Sequence, residues 1–494
     1  MLNSIKRLTR HSAVYGFGHI VSRLVNFVLL PLHTNWLSPA DFGVSTLVFS
    51  VLAIMTIVYT FGLDAAFLRY FILSDNPQKR RQVFSTAFWA VCGLAALFTV
   101  LMYGFAGTVS QWVISEGDYS RLFRLTSLIL LFDALAFLPL LYLRAEERSR
   151  QFVLMKFINV VINVAMNVLF LVYLRKGVEG IFWANLWASA VTFALTLPIL
   201  FRNIGRIFSW VDFNELLKFG LPYVPAALAV VVLDLGNRFI LEKMAGLEIT
   251  GIFSAGYKLG IFMSLVVAAF RFAWPPFFLS TSKQENAKNV FAKVLTYFVF
   301  VAAVIFLAIS FFVDELVRLK IFGWTIFGED YWKGTVVVPV VLLSYLIYGI
   351  YVNFMVGIYL EKKTSYLPII TGVGAAANIV ANILLIPIFG MMGSAYATLL
   401  GYAVMAGLLY VFAQKYYPIS YEFSRIIKLA VVAAVVFYSG YYLHGFWMNF
   451  VKALLLAAFP LGLYAAGFFD RRELAALKRM VASRLGPIRS ESAG

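Results

Sequence analysis

Apolar segments of about twenty residues, each enough to cross ~30 Å of hydrocarbon, recur along the whole chain. They fall at 12–36, 41–73, 83–106, 121–143, 152–174, 181–201, 219–242, 251–279, 291–313, 334–360, 365–387, 391–412, 427–443 and 449–468, about fourteen in all. In lipid the backbone must satisfy its own N–H and C=O groups, so such segments fold as helices. Of the 494 residues 62% are hydrophobic and 13% charged, against about 25% charged in a soluble domain. So few charges could not cover a soluble protein of this length. The expected fold class is an all-α polytopic membrane protein. The apolar segment that follows the basic first ten residues is full-length and has no small-residue cleavage site. It reads as the first transmembrane helix rather than a signal peptide.

The net charge of +17 does not point to nucleic acid, because the basic residues sit in short loops and in the tail rather than on one face. With the N-terminus inside, the even-numbered helices end in the cytoplasm. Those ends carry Lys79-Arg80-Arg81, the basic groups of 144–150 and 202–218, Lys283 and Lys288, Lys362-Lys363, Lys415 with Arg425, and the tail 471–489. This face holds most of the 41 Lys and Arg, the asymmetry that sets orientation. One missed helix would scramble every later loop, yet the alternation holds to the end, so both termini are expected in the cytoplasm. The basic amphipathic stretch of 470–494 is expected to lie on the anionic inner leaflet.

The outer segments 107–120 and 314–334 are too short to fold as a catalytic domain. The chain has one cysteine, Cys92, and four scattered histidines, so neither a disulfide framework nor a thiolate metal site is expected. It contains no G-x-x-x-x-G-K-[S/T] motif. An ion gradient, the membrane potential or a substrate gradient must drive whatever moves. The chain is read as no enzyme, without a bound cofactor.

The sequence also repeats. Asn163-x-x-x-Asn167 in helix five precedes Gly180-Ile-Phe-Trp-Ala184, and Asn378-x-x-x-Asn382 in helix eleven precedes Gly393-Ser-Ala-Tyr-Ala397. Leu37 leads to Gly43-Val-Ser-Thr, and Leu247 leads to Gly251-Ile-Phe-Ser. Helices one to six therefore correspond to seven to twelve. Six is even, so both copies enter the membrane in the same sense, and their pseudo-two-fold axis runs along the membrane normal with a cavity between the halves. The expected parts are six-helix lobes at 1–206 and 207–418, two additional helices in 419–469 and the tail 470–494.

Charges at membrane depth are costly and mark pathways. Here they are Arg23, Asp64, Arg69, Asp133 and Lys156, then Asp234, Arg238, Lys258 and Arg271. Arg69 is close enough to its helix end to snorkel; Lys156 reads as interfacial. Asp234 and Arg238, four apart, either satisfy each other or face the cavity. Asp133 is equally a buried hydrogen-bonding group or a functional one. Arg23, in mid-helix, is too deep to snorkel, and Arg271 and Lys258 also sit deep. Staggered cations suit an anionic phosphate or pyrophosphate rather than a cationic drug. Pro222 and Pro225 open helix seven and Pro275-Pro276 interrupt helix eight, placing kinks where a gate could bend. The asparagine pairs either bond neighbouring helices or, as Asn378 and Asn382 with Asp234 and Thr398, coordinate a monovalent coupling cation.

Tyr15-Gly16-Phe17-Gly18, then Leu30-Pro31-Leu32-x-Thr34-x-x-Leu37-Ser38-Pro39-x-Asp41-Phe42-Gly43 and Gly62-Leu63-Asp64-x-Ala66-x-x-Arg69-Tyr70, resemble flippases of the Wzx type for polysaccharide units. Their superfamily also holds lipid II flippases and multidrug and toxin extrusion antiporters. The resemblance implies alternating access around a central cavity in the inner membrane. The implied cargo is a polyprenyl-pyrophosphate-linked glycan, moved outward for a surface polymer such as lipopolysaccharide or exopolysaccharide. Transient contact with polymerase machinery is implied as well. By the same resemblance essential arginines fall on Arg23, Arg69 and Arg271. The charges at membrane depth add Lys258, Arg238 and Asp64 to the expected substrate path. A Na+ site falls on Asp234, Asn378, Asn382 and Thr398, with Na+ or H+ as coupling ion. The alternatives are a drug or organic-cation antiporter on the same fold, and a membrane glycan polymerase or ligase.

Overall fold

A computed structural model describes residues 29–74, 76–205, 207–321, 323–443 and 445–469. Arg23, the Tyr15-Gly16-Phe17-Gly18 segment and the basic tail lie outside the described residues. The first helix is seen over 29–36 (α1). It is followed by α2 (Pro39–Thr60), α3 (Leu63–Ile72), α4 (Pro77–Gly104), α5 (Ala106–Val113), α6 (Ser120–Ala145) and α7 (Ser149–Asn167), which runs on as a π-helical turn, Val168–Tyr173. Then come α8 (Gly177–Asn203), α9 (Trp210–Gly220), α10 (Tyr223–Leu235), α11 (Asn237–Leu259), α12 (Ile261–Thr281) and α13 (Ala287–Arg318). The two-residue strands Lys320–Ile321 and Trp324–Thr325 form a minimal antiparallel hairpin. A 3₁₀ helix (Glu329–Val337) leads into α14 (Val338–Leu360), and α15 (Leu367–Phe389), α16 (Met391–Tyr416), α17 (Phe423–Tyr441) and α18 (Phe446–Ala465) complete the order.

Among the described residues thirteen helical stretches are long and apolar enough to cross a membrane. These correspond to the second to fourteenth of the apolar segments; most of the first lies outside the described residues. Local chemistry sets several helix boundaries. Ser38 caps α2, its hydroxyl accepting from the Asp41 N–H, with Pro39 in the first turn, where a missing N–H costs nothing. Asn76 and Pro77 start α4 in the same way. Helix seven is built from α9, α10 and the start of α11, with Pro222 capping α10. Inside α11, Gly246 adopts φ 83° and ψ 174°, a non-helical conformation open to glycine; the run divides there, between the two apolar segments 219–242 and 251–279. Pro275 and Pro276 lie inside α12 without ending it, so the breaks in helices seven and eight fall at 221–222, 236, 246 and 260 instead.

The chain forms two compact units, one holding residues up to 279 with 314–418, the other 280–313 with the residues from 419 on. In the first unit the two sequence repeats meet. A Cβ on Gly43 would collide with the Leu247 carbonyl, and one on Gly251 with the Pro39 carbonyl, so α2 and α11 cross at backbone contact. Beside them Thr46 Oγ1 donates to Ser254 Oγ at 3.3 Å. These are the equivalent positions of the two Gly-x-x-[Thr/Ser] motifs, which places the pseudo-two-fold axis at this crossing. A second close approach pairs Gly62, at the left-handed break between α2 and α3 (φ 68°), with Gly220 at the end of α9.

The second unit packs Phe300 against Phe459 and Phe468, and Phe306 against Phe437. Lys452, 1% exposed, donates to the Phe311 carbonyl at 2.8 Å, a bond that offsets part of the cost of burying its ammonium. Thr296 donates to Glu422, which also takes the Arg425 guanidinium at 3.1 Å.

Candidate functional site

A cavity of about 660 Å³ lies within the first unit, between residues of both sequence repeats. One wall comes from α1, α2, α7 and α8, and carries His33, Lys156 and the amides of Asn159, Asn163, Asn167 and Asn185. The facing wall comes from α10, α11, α12, α14 and α16. It carries Asp234, Arg238, Lys258 and Arg271 together with Tyr257, Tyr345, Tyr348 and Tyr402. Among the described residues the lining therefore holds four basic side chains and one carboxylate, with tyrosines and amides between them.

Each cation of the second wall is held by an aromatic neighbour. The Arg238 guanidinium lies 5.0 Å from the Tyr257 ring centroid, and Lys258 Nζ lies 4.6 Å from that of Phe42. Arg271 donates to the Tyr348 hydroxyl at 3.1 Å. Rings attract cations through their quadrupole without neutralising them, so the positive charge stays available. Arg238 and Lys258 lie within electrostatic reach of each other, as do Lys258 and His33. Arg238 donates to the Asp234 main-chain carbonyl at 2.9 Å, not to its carboxylate. The Asp234 carboxylate accepts instead from Tyr257 at 2.9 Å and Tyr345 at 3.4 Å. The pair four residues apart therefore does not satisfy itself by a direct bond.

Of the residues read as a substrate path, the structure brings Arg238, Lys258 and Arg271 together. Arg69 and Asp64 are exposed and are not part of this lining; the Arg69 guanidinium sits 4.8 Å from the Phe219 ring centroid. Lys156, read as interfacial, lines the cavity. It interacts electrostatically with Asp133. The tyrosines, Asn159 and Asn185 escaped the sequence reading. One signal was present: Lys156, Asn159, Asn163 and Asn167 follow helical spacing on α7, a polar stripe that leads from the recognised pair to the others.

The asparagine pairs form matching locks. Asn167 Nδ2 donates to the Asn163 carbonyl at 2.8 Å, and its Oδ1 lies 3.0 Å from His33 Nε2. Asn382 Nδ2 donates to the Asn378 carbonyl at 2.9 Å, and its Oδ1 accepts from Ser394, also at 2.9 Å. Thr398 accepts from Asn237 Nδ2 at 3.2 Å. Asn378, Asn382 and Thr398 are fully buried and share this network, whose oxygens already accept protein donors. Asp234, the fourth oxygen source expected for a cation, is turned to the tyrosines. As arranged, Asn378, Asn382 and Thr398 form a polar lock between helices.

The structure is similar to the lipid II flippase MurJ in an inward closed conformation, with TM-score 0.75 and 14% identity, covering 95% of this chain and 99% of that one. It is also similar to an inward-facing multidrug resistance MATE family transporter of the MOP superfamily (TM-score 0.64, 14% identity, 79% and 93% covered). A MOP superfamily transporter from Pyrococcus furiosus, described as having a binding pocket of reverse polarity, matches with TM-score 0.56 and 14% identity over 83% and 95%. At this identity the likeness establishes the fold. No curated protein is significantly similar in sequence. The profile of the polysaccharide biosynthesis protein family matches residues 8–282, more than half of the 494 residues. The chain, a multi-pass membrane protein with the MurJ and MATE fold, belongs to the polysaccharide biosynthesis protein family.

Proposed function

We propose that the protein is a flippase that carries a polyprenyl-pyrophosphate-linked oligosaccharide from the cytoplasmic to the outer leaflet of the inner membrane, with both termini in the cytoplasm. The observation that carries this reading is the grouping of Arg238, Lys258 and Arg271 around one cavity whose one carboxylate among the described residues, Asp234, is taken up by tyrosine hydroxyls. Clustered cations in low dielectric repel one another, and a pyrophosphate between them would offset that cost while accepting their hydrogen bonds. The tyrosines and amides offer stacking faces and hydrogen-bonding groups for sugar rings. A volume of about 660 Å³ falls in the ~300–1,000 Å³ range of pockets for compact ligands, which fits one repeating unit rather than a polymer.

The family and the MurJ likeness support the same reading. A drug or organic-cation antiporter on this fold would want the opposite polarity, an acidic lining. In alternating access the cavity opens to one face and then the other, and the two glycine contacts, Gly43 with Gly251 and Gly62 with Gly220, are where the repeats would have to part. Coupling to Na+ or H+ belongs to the same proposal.

The test is a leaflet assay in cells lacking the protein. Lipid-linked glycans exposed to an external sugar-oxidising reagent are compared after adding back wild type, Arg271→Glu or Lys258→Glu. The expected result is trapping inside on deletion, release by wild type, and no release by normally expressed charge-reversed variants. An unchanged leaflet distribution on deletion, with the surface polymer lost, would move the protein to a step after translocation. Collapsing the Na+ and H+ gradients in turn in the same cells identifies the coupling ion.

A further inference from the structure

The two walls of the cavity carry different chemistry, and the cation on the amide wall is not explained by a pyrophosphate. Arg238 and Lys258 belong to one electrostatic group, in reach of each other and of His33. Lys156 interacts instead with Asp133, beneath the opposite wall. Lys156 lines the cavity, with Asp133 as an electrostatic neighbour behind it rather than a direct hydrogen-bond partner among the described residues. Around it Asn159 spends its Nδ2 on the Ala188 carbonyl and on Thr192 Oγ1, which leaves its Oδ1 for a ligand. Asn163 Oδ1 accepts from Asn167, leaving its Nδ2 as a donor. Asn185, the fourth polar group, makes no hydrogen bond among the described residues.

We infer that this wall is a sugar subsite specific for a glycan bearing a carboxylate, such as a uronic acid, with Lys156 pairing with that carboxylate and Asn159, Asn163 and Asn185 binding the neighbouring hydroxyl or acylamino groups. An ammonium at a cavity surface is a compact point charge that suits a single carboxylate. Site-bound amides discriminate strongly between ligands that do and do not satisfy them. The inference rests on the flippase reading and adds the sugar class to it.

The test measures binding to purified protein in lipid nanodiscs. The probes are two short-chain polyprenyl-pyrophosphate trisaccharides, identical except that the terminal sugar is glucose in one and glucuronic acid in the other. Wild type is expected to bind the glucuronate probe about tenfold more tightly, a difference worth about 1.4 kcal/mol. Lys156→Gln is expected to bind both probes with the wild-type affinity for the neutral one, and Lys156→Arg to restore the preference. Arg271→Gln is expected to weaken both probes equally. Equal affinities in wild type, or an equal loss for both probes in Lys156→Gln, would overturn the inference while leaving the flippase reading standing. Failure of wild type to bind either probe would overturn both.

Discussion

Arg238 illustrates how this protein keeps charge within the membrane. It is 6% exposed, yet its bonds go to the carbonyl of Asp234, the Asn237 side-chain oxygen and the ring of Tyr257, while the nearby Lys258 repels it. Such a residue is costly to the fold and valuable to an anionic ligand. Neutral replacement of a buried charge whose partners are weak is often neutral or stabilising. Arg238→Gln keeps a donor for the carbonyl and removes the repulsion. Its unfolding midpoint in detergent is expected to fall by no more than roughly 2 °C, or to rise, while affinity for a polyprenyl pyrophosphate drops at least tenfold. A large loss of stability with unchanged affinity would make the residue a structural strut. At this scale the sequence was only half legible. Depth along a helix can be counted, which marked Arg238, Lys258 and Arg271. Rotation about the helix axis cannot, because the outward side of a membrane helix is as apolar as its packed side and leaves no amphipathic stripe to read. That Lys156 faces the cavity could not be read for that reason, and Tyr257, Tyr345, Tyr348 and Tyr402 carried no mark among so many other aromatics.

Between elements, the legible feature was the thickness of the bilayer, which sets segment length and so made the helix count and the repeat readable. The breaks were less so. Pro275-Pro276 suggested an interruption, but helices embedded among neighbours tolerate proline, and Gly246 interrupts the run instead. The crossing of α2 and α11 depends on glycine for a different reason, closeness. A Cβ at position 251 meets the Pro39 backbone carbonyl and the Gly43 backbone, neither of which has a flexible end to move aside. Gly251→Ala is therefore expected to destabilise the protein by about 1–3 kcal/mol, as overpacking does. Gly372→Ala and Gly407→Ala, whose added Cβ atoms would meet nothing within 4 Å, are expected to be neutral or slightly stabilising through helix propensity. Thermal unfolding of the three variants compares them, and equal midpoints would remove the glycine contact as a support of the crossing.

Across the whole molecule, the same crossing makes alternating access testable. Thr46 on α2 and Ser254 on α11 are symmetry-equivalent, and their hydroxyl oxygens lie 3.3 Å apart, which suits replacement by a cysteine pair whose Cβ atoms must approach to about 4 Å. Cys92 is the sole native cysteine, so Cys92→Ser provides a clean background for Thr46→Cys/Ser254→Cys. Oxidation should link the repeats at their shared axis. If transport requires them to part there, the oxidised protein stops exposing lipid-linked glycan on the outer leaflet, and a reductant restores it. Thr99→Cys/Ser127→Cys, joining α4 and α6 within one repeat where the Thr99 hydroxyl donates to the Ser127 main-chain carbonyl at 3.4 Å, should leave transport unchanged in both redox states. Full activity of the oxidised Thr46–Ser254 pair would instead mean that the α2–α11 crossing is a fixed pivot. The cavity would then have to open by bending of helices at the breaks around Gly62, Gly246 and Gly260, with the two repeats remaining joined.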